Sequence, residues 1–379
     1  MEFELSEEQR ILQQTVRNFA KDYILPGIRE RDAKAEFPAK IIEELGRLGF
    51  MGVLIPEAYG GAGMDALSLA IIIEELARVD GSVAITVAAH NSLCTNHIYT
   101  FGTEEQRRKY VVPLASGKKL GAWSLTEPNA GSDAASIETT AVLSGDKWVL
   151  NGTKIFVSQG STADIYVVMA VTDHSREKQG ISAFIVEKGT QGLSVGKKED
   201  KLGLRTSDTA SIILEDCCLS WDSLLGEING GYQEVLKILD GGRIGIGAMA
   251  VGIGRGALEE SMEYAKKRVQ FGKPIAEFQA IQWMLADMAT ELDAARLLVY
   301  KAAYLKDHSL PYTKEASQAK LFASEVGMRA ATKAVQIFGG HGYMKDYPVE
   351  RFFRDVKICE IGEGTSEIQR LVISRELLK

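Results

Sequence analysis

The sequence predicts an α+β multidomain protein with an N-terminal helical domain, a small central β-barrel or β-sandwich domain and a C-terminal four-helix bundle. In the first and last parts of the chain, apolar residues recur at intervals of three and four, the spacing of helices with one buried face. In the middle part, short β-type runs alternate with turn signals, the pattern of a small all-β domain. The predicted domains cover residues 1–120, 121–230 and 231–379.

The N-terminal part is predicted to be a series of helices. Ser6–Gln9 has the pattern of a capping box, with serine at the N-cap and glutamine three residues later. Further helical spacing covers about 39–49, 66–79, 82–101 and 103–116. Pro56–Gly63 is rich in glycine but lacks the Gly-Lys-Ser/Thr ending of a phosphate-binding loop, so the sequence favours a structural turn there.

The central and C-terminal parts differ in period. Strands are predicted at Lys147–Leu150, Asp164–Val171, Ile181–Val186 and Ala210–Leu214, and long helices near 231–270, 275–307 and 312–338. Antiparallel helices of about 30 residues joined by short turns form a bundle. Gly252–Gly256 lies inside a helical pattern with no strand before it, so it is not a dinucleotide-binding fingerprint, and its glycines are expected to permit close helix packing.

Composition and charge exclude several classes of function. The net charge is -7 and the basic residues are spread along the chain, which argues against nucleic acid or an anionic membrane as a partner. Met1–Leu5 lacks the basic start of a secretory signal, and no uncharged run approaches the ~20 residues that span a bilayer. Four cysteines do not form a disulfide framework, so we expect a cytoplasmic protein. Cys94 and His97 lack a second ligand pair, so no metal site is predicted.

The candidate catalytic residue is Glu363, which lies between Gly362 and Gly364 just before a predicted helix. Glycines let the main chain approach a ligand closely because they have no Cβ atom. A carboxylate at a loop-to-helix junction is held firmly and stays reachable, as a general base requires. The alternative is a structural role, since acidic residues near a helix N-terminus are stabilised by the helix dipole.

Several motifs in this order resemble those of the acyl-CoA dehydrogenase family of flavoproteins, and the resemblance covers essentially the whole chain. In the β domain it rests on Leu125–Asp133 and Asn151–Ser158. In the bundle it rests on Leu239–Arg243, Arg268–Pro274 and Gln336–Tyr343. The resemblance implies an FAD cofactor and an acyl-CoA substrate.

The family resemblance also implies which residues bind the flavin. Thr126 and Ser158 would contact the polar edge of the ring, Phe156 would pack on it, and Gly131 and Ser132 would lie near phosphate. The residues expected to contact the flavin of a neighbouring subunit are Arg268, Gln279, Gln336, Gly339 and Gly340. Leu125, Phe271, Thr365 and Glu367 complete the expected cofactor set. Shared sites of this kind imply a homo-oligomer, in the family a tetramer formed as a dimer of dimers.

By the same resemblance, Asp240 and Arg243 would line the coenzyme A channel, and Ser132, Gly362 and Gly364 would also contact substrate. From spacing alone, Asp240 and Arg243 could equally form an ion pair within one helix. Glu363 would remove the α-proton, flavin N5 would accept the β-hydride, and the product would be a trans-2-enoyl-CoA. Electrons would pass to an electron-transferring flavoprotein, in fatty-acid or branched-chain acyl-CoA catabolism.

The chain departs from many relatives at Gly362, where they have tyrosine before the glutamate. Some branched-chain members place the base at the position of Gly242 instead, but Gly242 is not acidic and Glu363 is present, so the base is assigned to Glu363. The missing bulk beside the acyl pocket favours short or branched acyl groups. The alternative functions are an acyl-CoA oxidase-like flavoenzyme and a non-catalytic acyl-CoA-binding protein on the same fold.

Overall fold

The computed structural model describes residues 4–379. Of the segment Met1–Leu5, which lacks the features of a secretory signal, residues Met1–Phe3 therefore lie outside the described residues. The first helix begins at the predicted capping box, where the side chains of Ser6 and Gln9 each accept a hydrogen bond from the other residue's backbone N–H. The N-terminal helices are α1 (Glu7–Phe19), α2 (Ile28–Lys34), α3 (Ala39–Arg47), α4 (Ala66–Ala77), α5 (Gly81–Ala88), α6 (Asn96–Phe101), α7 (Glu104–Gln106) and α8 (Val112–Ala115).

A mixed eight-stranded sheet forms the middle of the chain. Its strands are β1 (Gly121–Ser124), β2 (Thr140–Ser144), β3 (Lys147–Ser158), β4 (Ile165–Val171), β5 (Ile181–Glu187), β6 (Leu193–Lys198), β7 (Thr209–Ser220) and β8 (Leu224–Leu225). The strands pair in the order β6-β7-β3-β2-β4-β5-β8, and β1 pairs in parallel with β4.

Long helices form the C-terminal bundle, as predicted. They are α9 (Gly231–Lys267), α10 (Gln279–Asp307) and α11 (Thr313–Phe338), followed by the shorter α12 (Val349–Val356) and α13 (Ser366–Leu377). The two-residue strands β9 (Val269–Gln270) and β10 (Lys273–Pro274) pair between α9 and α10. The fold class predicted from the sequence is therefore confirmed, while the exact domain limits stay predictions.

The central strand β4 explains how the sheet joins the helical layers. Every residue of β4 is buried, and alternate side chains point to opposite faces, as strand geometry requires. Ile165 and Val167 pack in a core shared with N-terminal helices and with Val235 of α9. Tyr166 and Val168 face a second core that includes apolar residues of β3 and β7. The sheet therefore packs on the helices with one face and folds over on itself with the other.

Helix α9 packs closely against α4, as the glycine-rich stretch predicts. A Cβ atom added to Gly252 would overlap the carbonyl oxygen of Glu74 and lie 2.8 Å from Cβ of Ala77. A Cβ atom on Gly256 would overlap the carbonyl oxygen of Arg78. The prediction that these glycines permit close helix packing is confirmed.

The structure adds detail that the sequence pattern did not predict. The predicted helix over 82–101 is divided by a π-helical segment, Ala89–Thr95, between α5 and α6. Strands β1, β2 and β6 were not predicted, because their few apolar positions set no clear period. Helix α12 was missed although Val349, Phe352 and Val356 recur at helical spacing. Among residues 4–379, every helix is too short or too polar to cross a bilayer.

Candidate active site

Glu363 lies in the turn between Lys357–Glu360, a 3₁₀ segment, and helix α13. The hydroxyl of Thr365 caps α13 by accepting a hydrogen bond from the N–H of Ile368 at 3.3 Å. Glu363 has φ of 54° and Gly364 has φ of 93°, so two successive residues adopt left-handed backbone conformations. Such a conformation is unfavourable for a glutamate and is found mainly where the surroundings enforce it, often at functional sites.

The carboxyl group of Glu363 points at Gly242, in the first third of α9. A Cβ atom on Gly242 would overlap Oε2 of Glu363 and lie 3.0 Å from its carboxyl carbon. The same atom would lie 3.1 Å from Cδ2 of Leu93, in the π-helical segment. The absence of a side chain at Gly242 therefore provides the space that the carboxyl group of Glu363 occupies.

The surroundings of Glu363 raise the pKa of its carboxyl group to about 7, mainly because burial disfavours the charged form. The positive charges of Lys320 and Arg243 act in the opposite direction and favour the carboxylate. Oε2 is buried and has no hydrogen-bond partner in the described chain. A carboxyl group with a pKa near neutrality and a free oxygen is suited to accept a proton from a ligand.

Two buried side chains hold the loop that carries Glu363. The ammonium group of Lys320 on α11 donates a hydrogen bond of 2.6 Å to the carbonyl oxygen of Gly364. The side-chain amide of Gln369 on α13 donates to the same oxygen at 2.8 Å and to the carbonyl oxygen of Glu363 at 3.3 Å. Burial lowers the pKa of Lys320 to about 8, so its ammonium group is still mostly charged at neutral pH. Lys320 on α11 and Gln369 on α13 thus hold the backbone of the loop that carries the base.

Asp240 and Arg243 form the ion pair that their spacing allows, at 2.5 Å along α9. Asp240 also accepts a hydrogen bond of 2.5 Å from the hydroxyl of Thr313, and Arg243 donates one of 3.3 Å to Ser317. Nε of Arg243 is buried without a partner. The pair lies on the turn of α9 that contains Gly242, and its predicted role in binding coenzyme A stays a prediction.

The flavin residues predicted in the β domain lie around one part of β3. The ammonium group of Lys154 donates hydrogen bonds of 2.6 Å to Glu127 and 3.2 Å to the carbonyl oxygen of Leu125. The carbonyl oxygen of Thr126 accepts from the N–H of Ile155 at 2.9 Å. This network ties the segment before Pro128 to the middle of β3. Burial lowers the pKa of Lys154 to about 8.

Phe156 lies at an irregularity in the pairing of β3 with β7, with φ of 57° and 62% of its surface exposed. Ser158 ends the same strand, opposite Thr209. Gly131 and Ser132 are exposed, and a Cβ atom on Gly131 would have no neighbour within 4 Å. These residues leave a surface that a large planar ligand could cover.

A second group of predicted site residues gathers at the other end of the bundle. These are Arg268, Phe271, Gln279, Gln336, Gly339 and Gly340, at the end of α9, the start of α10 and the end of α11. Phe271 has φ of 51° and is 95% exposed. With a rise of 1.5 Å per helical residue, Arg268 lies about 39 Å along α9 from Gly242. One chain therefore does not bring this group together with Glu363.

Family models match the chain along nearly its whole length. The N-terminal, middle and C-terminal domains of acyl-CoA dehydrogenase match residues 6–118, 122–217 and 229–378. The chain belongs to the acyl-CoA dehydrogenase family. It is therefore an acyl-CoA dehydrogenase by family, an enzyme class of flavin-dependent oxidoreductases.

Individual acyl-CoA dehydrogenases resemble the chain end to end. The short-chain specific acyl-CoA dehydrogenase of Clostridium acetobutylicum is 50% identical over 379 residues, which is 100% of both chains. The solved structure of butyryl-CoA dehydrogenase from Megasphaera elsdenii is 48% identical, covers 100% of both chains and has a TM-score of 0.98. A chain in the solved structure of an electron transferring flavoprotein of Acidaminococcus fermentans is 50% identical, covers 100% of both chains and has a TM-score of 0.99.

Sequence reasoning missed the residues that support the base in this acyl-CoA dehydrogenase. Lys320 and Gln369 sit in ordinary helical patterns, and nothing in the sequence marks them as buried and bonded to the loop of Glu363. Lys154 and Glu127 were also missed, although each lies inside a motif that resembles the family, because nothing in the sequence marks them as a buried ion pair. Residues 4–379 contain no group of three or more His, Cys, Asp or Glu side chains that could hold a metal ion.

Proposed function

We propose that this protein oxidises short acyl-CoA thioesters to trans-2-enoyl-CoA with FAD, using Glu363 as the base for the α-proton. The main support is the environment of the Glu363 carboxyl group. Its pKa is about 7, and its buried Oε2 atom has no hydrogen-bond partner and faces Gly242 and Leu93. The names of the relatives from Clostridium acetobutylicum and Megasphaera elsdenii support the preference for short chains. Gly362 has no side chain beside the base, so the acyl pocket would also have room for branched acyl groups.

The residues of the β domain fit a flavin. Phe156 exposes its ring, Gly131 leaves its surroundings open, and the buried hydroxyl of Ser124, two residues before Thr126, has no partner. Thr126 and Ser158 would hold the polar edge of the ring, and Phe156 would pack against its face. When bound, FAD would supply the acceptor for the hydride that leaves the β-carbon.

The protein's own groups account for the other half of the reaction. Glu363 would take the α-proton, and a filled acyl pocket would exclude water from its carboxylate and strengthen it as a base. The N–H of Glu363 makes no hydrogen bond within residues 4–379, so it is free to donate to the thioester oxygen as negative charge develops there. Lys320 and Gln369 would keep that N–H and the carboxyl group in one orientation.

Two protein partners would complete the catalytic cycle. An electron-transferring flavoprotein would reoxidise the enzyme, which is supported by the similarity to the Acidaminococcus fermentans chain. A second copy of the chain would complete the cofactor site with the Arg268 group, and the tetramer expected from the family resemblance would contain two such pairs. The cytoplasmic location stays a prediction.

Anaerobic titration of the purified, FAD-loaded protein with butyryl-, isovaleryl- and octanoyl-CoA tests the proposal. Bleaching of the flavin absorbance by butyryl- or isovaleryl-CoA, and weaker bleaching by octanoyl-CoA, is expected. Glu363→Gln should bind the thioesters and fail to bleach, because an amide cannot accept the proton. A flavin that no thioester bleaches would contradict the proposal and favour a binding protein. Rapid reoxidation of the bleached enzyme by air would instead favour the oxidase alternative.

A further inference from the structure

Trp123 of β1 belongs to an apolar cluster next to the base. Its indole ring packs with Phe101 against the buried side chains of Ala89, Leu93 and Ile238. Leu93 is also the side chain nearest to Gly242 after Glu363 itself. Moving away from the Glu363 carboxyl group, the order is thus Gly242 and Leu93, then Trp123. An acyl chain that extended from Glu363 past Gly242 and Leu93 would meet this cluster.

A buried hydrogen-bonded chain leads from the indole ring into the other two domains. Nε1 of Trp123 donates to Nδ1 of His97 at 3.0 Å. Nε2 of His97 lies 3.0 Å from Oε2 of Glu234, in the first turn of α9. His97 is fully buried and Glu234 is 5% exposed.

The chemistry of these groups determines the direction of each bond. An indole N–H can only donate, so Nδ1 of His97 must be the acceptor and carries no proton. The ring proton therefore sits on Nε2 and is donated to the carboxylate of Glu234. Burial lowers the pKa of His97, which keeps the imidazole neutral and Nδ1 free to accept. Trp123 is thus held by a single tautomer of His97.

We propose that His97 and Glu234 are positioning residues that fix Trp123 as the end wall of the acyl cleft and so limit the acyl chain length. The inference rests on the proposed function and adds a determinant of substrate choice. Each member comes from a different domain, with Trp123 from the sheet, His97 from α6 and Glu234 from α9. Glu234 is itself constrained, because a Cβ atom on Gly226 would overlap its carboxylate.

The physical reason is the cost of an unpaired donor. Inside the protein an indole N–H without a hydrogen-bond partner is disfavoured. Removal of His97 would therefore favour rotation of the Trp123 ring to a position where its N–H can bond to water. A movable Trp123 would open the cleft to longer chains and hold short ones less well. Trp148 offers a matched control, because it is a buried tryptophan of the same domain whose Nε1 has no partner.

The experiment compares kcat/KM for butyryl-CoA and octanoyl-CoA in Trp123→Phe, His97→Leu, the double variant and Trp148→Phe. We expect His97→Leu to lower the butyryl-to-octanoyl ratio about fivefold, the effect of one net hydrogen bond. The double variant should show no further loss from His97→Leu, because Trp123→Phe already lacks the N–H. Trp148→Phe should keep the wild-type ratio. A wild-type ratio in His97→Leu, or additive losses in the double variant, would overturn the inference.

A second measurement does not depend on turnover. The chain has four tryptophans, so each indole N–H can be followed after ¹⁵N-tryptophan labelling. The Trp123 indole should be protected from hydrogen exchange in the wild type and lose at least tenfold protection in His97→Leu. Glu234→Gln keeps the shape of the side chain and should lose protection to a smaller extent, which covers the case that His97→Leu does not fold. Unchanged protection in both variants would contradict the inference. If no thioester bleaches the wild type, the proposed function fails separately.

Discussion

At the scale of single residues, the candidate base is defined by opposing electrostatic effects. Burial raises the pKa of Glu363, while Lys320 and Arg243 lower it, and the outcome is a value of about 7. The left-handed backbone at Glu363 recurs at Phe156 and Phe271, two residues expected to contact the cofactor. Each such conformation costs about 1–3 kcal/mol, so the surrounding contacts must enforce it. Three separate candidate site residues share this strain.

Lys320→Met is expected to move the acidic limb of the pH–rate profile to higher pH. A base must be deprotonated, so the rate rises with pH through the pKa of Glu363. Removing a nearby positive charge raises a carboxyl pKa by roughly one unit or more. Turnover below pH 7 should therefore fall by about tenfold, with a smaller loss at pH 9. The profile of kcat with butyryl-CoA between pH 5.5 and 9 measures the shift.

Lys306→Met is the matched control for Lys320→Met. Lys306 is another lysine of the bundle whose pKa burial lowers, and its Nζ would lie 3.0 Å from a Cβ atom on Gly241. It makes no hydrogen bond to the loop of Glu363 and is absent from the causes that shift the Glu363 pKa. The acidic limb of the pH–rate profile of Lys306→Met should lie at the same pH as in the wild type. Equal displacement in both variants would show that loss of any buried lysine charge causes the shift.

Gly242→Ala tests whether the carboxyl group needs the space over α9. The added methyl group would overlap Oε2 of Glu363 and force the base to move. A displacement of about 1 Å can lower turnover by about 100-fold. Gly245→Ala, one turn along the same helix, would make an ordinary 3.4 Å contact with Ile73 and should retain most activity. Comparable activity of the two variants would disprove the packing argument.

At the scale of elements, the close approach of α9 and α4 gives a stability prediction. In Gly252→Ala the new methyl group would overlap the carbonyl oxygen of Glu74, a backbone atom that cannot rotate away. Overpacking of this kind costs about 1–3 kcal/mol. Thermal melting of the variant beside Gly245→Ala measures the cost, and a melting temperature of Gly252→Ala at or above that of Gly245→Ala would rule the prediction out.

The elements predicted well are those with a strong local signal. The capping box at Ser6 and the long helical periods of α9, α10 and α11 match the structure because their signals lie within a few turns of chain. The sheet order does not have a local signal, since β1 pairs with β4 and β3 pairs with β7 through residues far apart in sequence. The π-helical segment Ala89–Thr95 was also missed, because every one of its residues is buried and its sequence sets no apolar period.

The candidate site shows the same division. Glu363 was predictable because two glycines flank a carboxylate at a helix start, a signal contained in three residues. Lys320 and Gln369 were not predictable, since their role depends on the packing of α11 and α13 around the loop. Gly242 was recognised only as a position without an acid. Its function of making room for the carboxyl group became clear only from the structure.

At the scale of the whole molecule, the distance along α9 limits what one chain can do. Glu363 contacts α9 at Gly242, in its first third, whereas the Arg268 group lies beyond its end, about 39 Å further along the helix axis. Phe271 and Tyr343 near that end are 95% and 82% exposed, which is unusual for large aromatic side chains on a surface that no partner covers. A site that uses both groups requires a second copy of the chain.

Mixed oligomers of two inactive variants test this shared site. Glu363→Gln removes the base, and Arg268→Ala removes the group that the neighbouring chain would supply. In a pair containing one chain of each kind, one site would receive an intact Glu363 and an intact Arg268, while the other would lose both. Random pairing after co-refolding of equal amounts should therefore restore about a quarter of wild-type activity.

The matched control mixes Arg268→Ala with Gln336→Ala. Both variants damage the supplied group, so each site in a mixed pair lacks one of its two residues and no gain is expected. If the Glu363→Gln and Arg268→Ala mixture shows only the average of its parents, the cofactor site belongs to one chain and the Arg268 group has another role.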